Sequence, residues 1–247
     1  MRNKQFLNIQ CIFFFIIIGS CQMINADITK QISLSISDTN HAIGGSIPIS
    51  VTYTNQGNNP ISFRDPEKTW EVKLKVINHD AEENQVPFGR IFFYQGNGFE
   101  RTTIEDADDI PLNPKQSHTF KIDAGNRWTE LFSPGLSTLQ VIDQSDDNEI
   151  IASNTVKLHI VFSDNSFINL LSIIANKNHS EDSRIFALDW IKKIHTGFIF
   201  YIHEPTNVEE LTNHKMIQDA QNWWQINQRT PDVLEKIAEI NSVSSEN

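Results

Sequence analysis

From Lys30 to Phe162 apolar and polar residues alternate in short runs, and a period of two is the spacing that buries one face of a β-strand. The run "KQISLSIS" puts Ile32, Leu34 and Ile36 on one side, and "SIPISVTYTN" does the same with Ile47, Ile49, Val51 and Tyr53. "TWEVKLKVI" alternates Trp70, Val72, Leu74 and Val76, and "TVKLHIVF" alternates Val156, Leu158, Ile160 and Phe162. Shorter runs stand at 61–63, 90–94, 119–122, 137–142 and 149–153. The separators are rich in turn formers: "GG" at 44, "NQGNNP" at 55, "QGNG" at 95, "SPG" at 133 and "DQSDDNE" at 143. About eight or nine short strands with no helical period between them predict a mainly β body, an antiparallel sandwich over 30–163.

After Phe162 the period changes. "SDNSFINLLSIIANK" offers Ser163 or Asp164 as a helix cap and then Phe167, Leu170, Leu171 and Ile174 at helical spacing. "SEDSRIFALDWIKKI" starts on Ser180 as a cap, has Glu181 and Asp182 in its first turn, and sets Ile185, Leu188, Ile191 and Ile194 on one stripe. "NHKMIQDAQNWWQIN" supplies Ile217, Ala220, Trp223 and Trp224, and "TPDVLEKIAEI" opens on Thr230 with Pro231 at the first helical position. Four short helices over 164–241 are expected to form a small α-helical module packed on the sandwich or on a repeat-like pair, with 242–247 expected as a disordered tail. A chain of 247 residues, 39% hydrophobic, can bury one sizeable core and a second small one.

Two resemblances attach to these patterns. "GGSIPISVTYTNQGNNPISF" (44–63), "IPLNPKQSHTFKID" (110–123) and "LFSPGLSTLQVID" (131–143) together resemble the immunoglobulin-like sandwiches of bacterial envelope proteins. A family of small proteinase inhibitors shares that phrasing. The tail, with Ala187 and Leu188, "HTGFIFY" (195–201) and "AQNWWQIN" (220–227), resembles the terminal unit of HEAT-like repeat proteins. Further repeats are lacking, and a solenoid needs about three stacked units to bury its faces, so one capping-like unit leaning on its neighbours is expected.

The front of the chain says where the protein works. "MRNKQFLNIQCIFFFIIIGSC" begins with Arg2 and Lys4, runs through an apolar block densest at 11–18, and reaches Gly19 and Ser20, which is the profile of a signal peptide. The apolar block falls short of the about 20 residues that a helix needs to cross a bilayer. "IIGSC" (17–21) resembles the lipobox of bacterial lipoproteins, in which the cysteine thiol is diacylated, the chain is cut before it and its amine is acylated. Carried over, the resemblance makes 1–20 a signal peptide, Cys21 the lipidated first residue and 21–29 a tether. A cut after Ala26, with a bulky Ile24 where a small residue is preferred, is the competing reading and would leave the protein secreted or periplasmic; an uncleaved anchor is the other. Gln22 after the cysteine, in place of an acidic residue, favours an outer membrane.

Cysteine usage and charge narrow the rest. Both cysteines, Cys11 and Cys21, lie in this front segment, so hydrophobic packing without a disulfide must hold the body. The net charge is −11; without Arg2 and Lys4 the 20 basic residues become 18 against 31 acidic ones, or −13. Phosphate backbones are bound by clustered Lys and Arg, so nucleic acid is not an expected partner.

Motifs for catalysis are weak. None of the eight histidines pairs at metal-ligand spacing: His203 stands beside Glu204 but is followed by Pro205, unlike the HExxH helix of zinc proteases, and His195 is eight residues from it. The acidic runs at 105–109 and 143–149 lack the alternating oxygens and central glycine of an EF-hand and read as a loop and a hairpin turn. "GLSTL" (135–139) lacks the second glycine of a nucleophile elbow. No enzyme activity, metal or cofactor is expected. The remaining candidate is "RIFFYQGNGFE" (90–100), where Phe92, Phe93, Tyr94 and Phe99 around a glycine-rich tip form either core packing or a contact platform for a partner. The expected function is non-catalytic: an envelope lipoprotein binding or assembling with another envelope protein or a polymer. Inhibition of a proteinase through the loop at 86–98 is the alternative.

Overall fold

The computed structural model describes residues 29–66, 69, 71–78, 83–88, 109–146, 149–197 and 214–242. Strands β1 (Lys30–Ile36), β3 (Pro48–Asn55) and β8 (Ser117–Asp123) form one antiparallel sheet in the order β1-β3-β8. A second sheet runs β2 (Asn40–Ala42), β11 (Val156–Val161), β9 (Gly135–Asp146), β5 (Val72–Ile77) and β6 (Glu83–Pro87), with β10 (Glu149–Ala152) paired to β9 beyond β11. β4 (Ile61–Arg64) and β7 (Asp109–Leu112) make a separate antiparallel pair. The chain is mainly β with a helical end. One expectation needs correcting: the sheets are not wholly antiparallel, because β2 lies parallel to β11, His159 opposite Asn40 and Val161 opposite Ala42.

The alternation read from the sequence is the alternation of burial. Ile32 and Leu34 of β1, Ile49, Val51 and Tyr53 of β3, Val72, Leu74 and Val76 of β5, Leu139 and Val141 of β9, and Leu158 and Ile160 of β11 all point into one core. Each such side chain contributes about 1.5–3 kcal/mol by leaving water, so a single-residue slip of register would turn a whole strand's apolar set outward. That is what holds β1 against β3 from Lys30 opposite Asn55 to Ile36 opposite Ile49.

Two short segments join β8 to β9: α1 (Ala124–Arg127) and a 3-10 turn at Thr129–Leu131. Asp123 caps α1. Its carboxylate accepts from the backbone N–H of Asn126 and of Ile47 and from the Ser46 hydroxyl, which ties the helix to the start of β3. Burial works against its charge, yet these hydrogen bonds together hold its pKa below the ordinary Asp value. Gly125 has to be glycine because a Cβ would stand 2.2 Å from the Gly45 carbonyl oxygen.

The C-terminal third is helical: α2 (Ser166–Ala175), α3 (Glu181–Ile194), α4 (His214–Asn227) and α5 (Pro231–Ser242). Ser180 caps α3 as expected, its hydroxyl accepting from Ser183 N at 3.1 Å. α2 starts later than Ser163 or Asp164 would place it. Asn165 precedes it without a side-chain cap, and the Ser166 hydroxyl accepts from Ser163 N at 2.8 Å instead. In α3 the buried stripe is Arg184, Ala187, Leu188, Ile191 and Ile194, while Ile185 is 42% exposed. The stripe is rotated because Arg184 turns inward, its Nε donating to the Ile174 carbonyl at the end of α2. Trp224 is buried, stacked on Phe167 of α2 at 4.5 Å, and edge-on to Phe162 beyond β11. Trp223 is half-buried and lies flat on His195 at 3.8 Å. Helices and sheets share one apolar core. Gly44, at φ 70°, turns the chain beside Leu170 of α2, and the Asn241 side chain of α5 bonds both the N–H and the carbonyl of Phe162.

Candidate functional site

The inward alternation of three strands ends on polar residues. Lys30 is in phase with Ile32 and Leu34 on β1, Asp143 with Leu139 and Val141 on β9, and Tyr53 with Ile49 and Val51 on β3. All three therefore enter the core at one end of the body. Lys30 Nζ lies 3.1 Å from Asp143 Oδ2, with the side chains 7% and 1% exposed. The pair joins the two sheets across their shared interior, since β1 belongs to one and β9 to the other. Asp143 sits where β10 shifts register against β9, between Glu149 and Ile151.

Tyr53 is wholly buried, stacked on Phe63 at 4.4 Å and edge-on to Phe120 at 6.0 Å. Its hydroxyl meets no acceptor in good hydrogen-bond geometry among the described residues, although the Asp143 carboxylate is close enough to act on it. Burial first, and then the charges of Asp143 and Asp65, push the phenol pKa far above its ordinary value. Lys30, Asp143 and the Tyr53 hydroxyl thus share one buried site. Asp143 corrects the reading of 143–149 as an acidic turn: it lies within β9, in phase with the core. The lysine at the inward phase of "KQISLSIS" and the aspartate at the inward phase of "STLQVID" were the signals in the sequence.

The residues expected to make contacts, Phe92, Phe93, Tyr94 and Phe99, and the lipidation candidate Cys21 lie outside the described residues, as do His203 and the acidic residues at 105–108. Both flanks of the segment 89–108 are described. On one side Phe88 is wholly buried, its N–H donates to the Val72 carbonyl at 2.9 Å, and its ring stands edge-on to Trp128 at 5.5 Å. The Arg127 guanidinium, over the Trp128 ring at 5.1 Å, donates to the Phe88 carbonyl. On the other side β7 pairs with β4 from Asp109 opposite Arg64 to Leu112 opposite Ile61.

Among the described residues no group of three His, Cys, Asp or Glu side chains is placed to hold a metal ion. His195 lies against Trp223 rather than in a ligand set, and residues 135–139 form the start of β9. No helix among the described residues is long and apolar enough to cross a membrane.

No protein-family model matches the chain, and no curated protein does. Among solved structures it is similar to Spo0M, a sporulation control protein of Bacillus subtilis, at 10% identity and TM-score 0.32, over 59% of this chain and 54% of that one. The chain thus spans about half the length of Spo0M. It is similar to the alkylpurine DNA glycosylase AlkC of Pseudomonas fluorescens at 11% identity and TM-score 0.33, over 53% of this chain and 30% of that one. It is similar to the CARDB domain of PF1109 from Pyrococcus furiosus at 10% identity and TM-score 0.29, over 54% of this chain and 94% of that one. Likenesses this distant carry nothing about activity.

Proposed function

We propose that this chain is a non-catalytic envelope lipoprotein, anchored through acylated Cys21, whose immunoglobulin-like sandwich displays the segment 89–108 to another envelope protein or to a polymer. The observation that carries the reading is the way both flanks of that segment are fixed. Phe88 is locked between Val72, Trp128 and Arg127, and Asp109 begins a paired strand. Binding residues concentrate on connections held by a rigid scaffold. This connection carries Phe92, Phe93, Tyr94 and Phe99 in sequence, and aromatic residues are enriched at the energetic centres of interfaces. The sandwich reading draws on antiparallel neighbours distant in sequence, β3 with β8 and β5 with β9, around one core.

The test is a Phe93→Ala, Tyr94→Ala variant of the full chain, compared with wild type for urea unfolding and for proteins that co-purify from detergent-solubilised membranes. The reading predicts an unchanged unfolding midpoint and the loss of a co-purifying partner. A lowered midpoint with a broadened transition would make these rings core and overturn it.

A further inference from the structure

Of the four C-terminal helices α5 is the least embedded in the body. Its only wholly buried side chain is Val233, and Ile237 and Ile240 continue that stripe half-buried. α2, by contrast, buries Phe167, Leu170, Leu171, Ile173 and Ile174. Much of the hold on α5 is therefore polar. Asn241 bonds Phe162 near the end of the helix, and in its middle Lys236 Nζ donates to the Ile194 carbonyl at 3.2 Å.

That carbonyl belongs to the last residue of α3, where the unsatisfied carbonyls of a helix end favour a positive charge. The next residue is His195. Its ring is buried and lies parallel to the Trp223 indole at 3.8 Å. α3, α4 and α5 thus meet around one titratable ring beside one fixed ammonium. We propose that this joint is a proton-operated latch, in which protonation of His195 sets a second positive charge beside Lys236 and releases α5 from the end of α3.

The surroundings of the ring give the latch its direction. On α3 itself Lys193 is held over the Trp190 ring at 3.5 Å and Lys192 stands 3.9 Å from Asp189. On α4 Asp219 lies one turn before Trp223, and on α5 Glu235 and Glu239 are exposed while Lys236 is half-buried. Among these charges it is that of Lys236 that bears on His195: burial first, and Lys236 after it, hold the ring's pKa below the ordinary histidine value. Once released, the ring stands in water and takes its proton at the ordinary value of about 6.5. The released form binds the proton more readily, so release is suppressed above about pH 6.5 and grows as pH falls from there through the pKa of the closed joint. A helix with few buried apolar contacts opens at low free energy, well before the core does. Release exposes the stripe of Val233, Ile237 and Ile240 and leaves the sheets closed.

Hydrogen exchange of the full chain tests this, read by mass spectrometry on peptides covering α5, 231–242, and β9, 135–146. Protection, corrected for the intrinsic pH dependence of exchange, is compared at about pH 8 and about pH 5, on either side of the ordinary histidine value. The proposal predicts that α5 loses protection severalfold at the lower pH while β9 keeps it. His195→Phe, which keeps a ring on Trp223, removes that loss, and His179→Gln, just before α3, leaves it unchanged. Equal protection of α5 at the two pH values in the wild type overturns the proposal, as does a loss that survives in His195→Phe or disappears in His179→Gln. The wild-type reading can overturn it alone, so a variant that folds poorly does not shelter it.

Discussion

Asn154 binds strand β1 with its side chain alone. It follows β10, donates to the Leu34 carbonyl and accepts from the Leu34 N–H, both at 2.9 Å, so a carboxamide stands where a neighbouring strand would be. Asn241 does the same for Phe162 at 2.8 and 3.0 Å, and thereby fastens α5 to the end of β11. Asn55, wholly buried at the end of β3, donates to the carbonyls of Asn59 and Leu112 and accepts from Gly57 N–H. A backbone group left inside without its partner costs about 1–3 kcal/mol. Asn154→Ala strips two such groups at once, and the expected loss is about 2–4 kcal/mol by that scale, read as a lower urea midpoint with an unchanged slope. A loss below about 0.5 kcal/mol would mean that water replaces the carboxamide without penalty. Nothing in composition marks these asparagines: "NQGNNP" reads as a turn, and the long-range partner of each amide appears only when the strands are assembled.

The helices answer to acid through the ring that joins α3 to α4. His195 follows α3 and lies flat against Trp223 of α4. Burial, and then the charge of Lys236 on α5, hold its pKa below the ordinary histidine value. His179, before α3, is lowered too, by burial first and by Arg184 after it, with Glu130 acting in the opposite sense. A depressed folded-state pKa means that the unfolded chain takes the proton more readily. The stabilisation is therefore complete above the unfolded value of about 6.5 and is lost as pH falls through the folded one. Thermal melting should drop below about pH 6.5, and His195→Phe, which keeps a ring against Trp223, should flatten part of that drop. An identical pH profile in the variant would show that His195 takes up its proton equally in the folded and unfolded states.

How far each element was legible follows from what buries it. β1, β3, β5 and β11 carry strong alternation because one face of each lies in the core. The segments "NHA" of β2 and "ENQVP" of β6 are polar, lie at the two edges of the second sheet, and are held as strands by the ladder of their neighbours. A periodicity argument cannot see them. In α3 the expected stripe failed at Ile185 because the buried Arg184 replaces it, and an arginine satisfied by a carbonyl on another helix has no local signature. The buried pair of Lys30 and Asp143 was half legible: the phase of each residue pointed inward, while the meeting of the two depended on a topology that alternation does not encode.

At the scale of the whole molecule, sheets and helices form one packed body around a shared core. Ser183 of α3 bonds Glu130 beside β9, and Asn241 of α5 bonds the end of β11. In the proposed account a short tether, 21–29, leads from the acylated cysteine to Lys30, the first residue of β1, and each buried methylene of the acyl chains adds about 0.8 kcal/mol to membrane attachment. The anchor is the part of this account on which location, partner and mode of action all depend. Its direct measurement is metabolic labelling with a radioactive fatty acid in a bacterial host, comparing wild type with Cys21→Ser. The account predicts label on the wild type, none on the variant, and release of the variant from the membrane fraction. A wild type that takes up no label, or label that persists in Cys21→Ser, contradicts it.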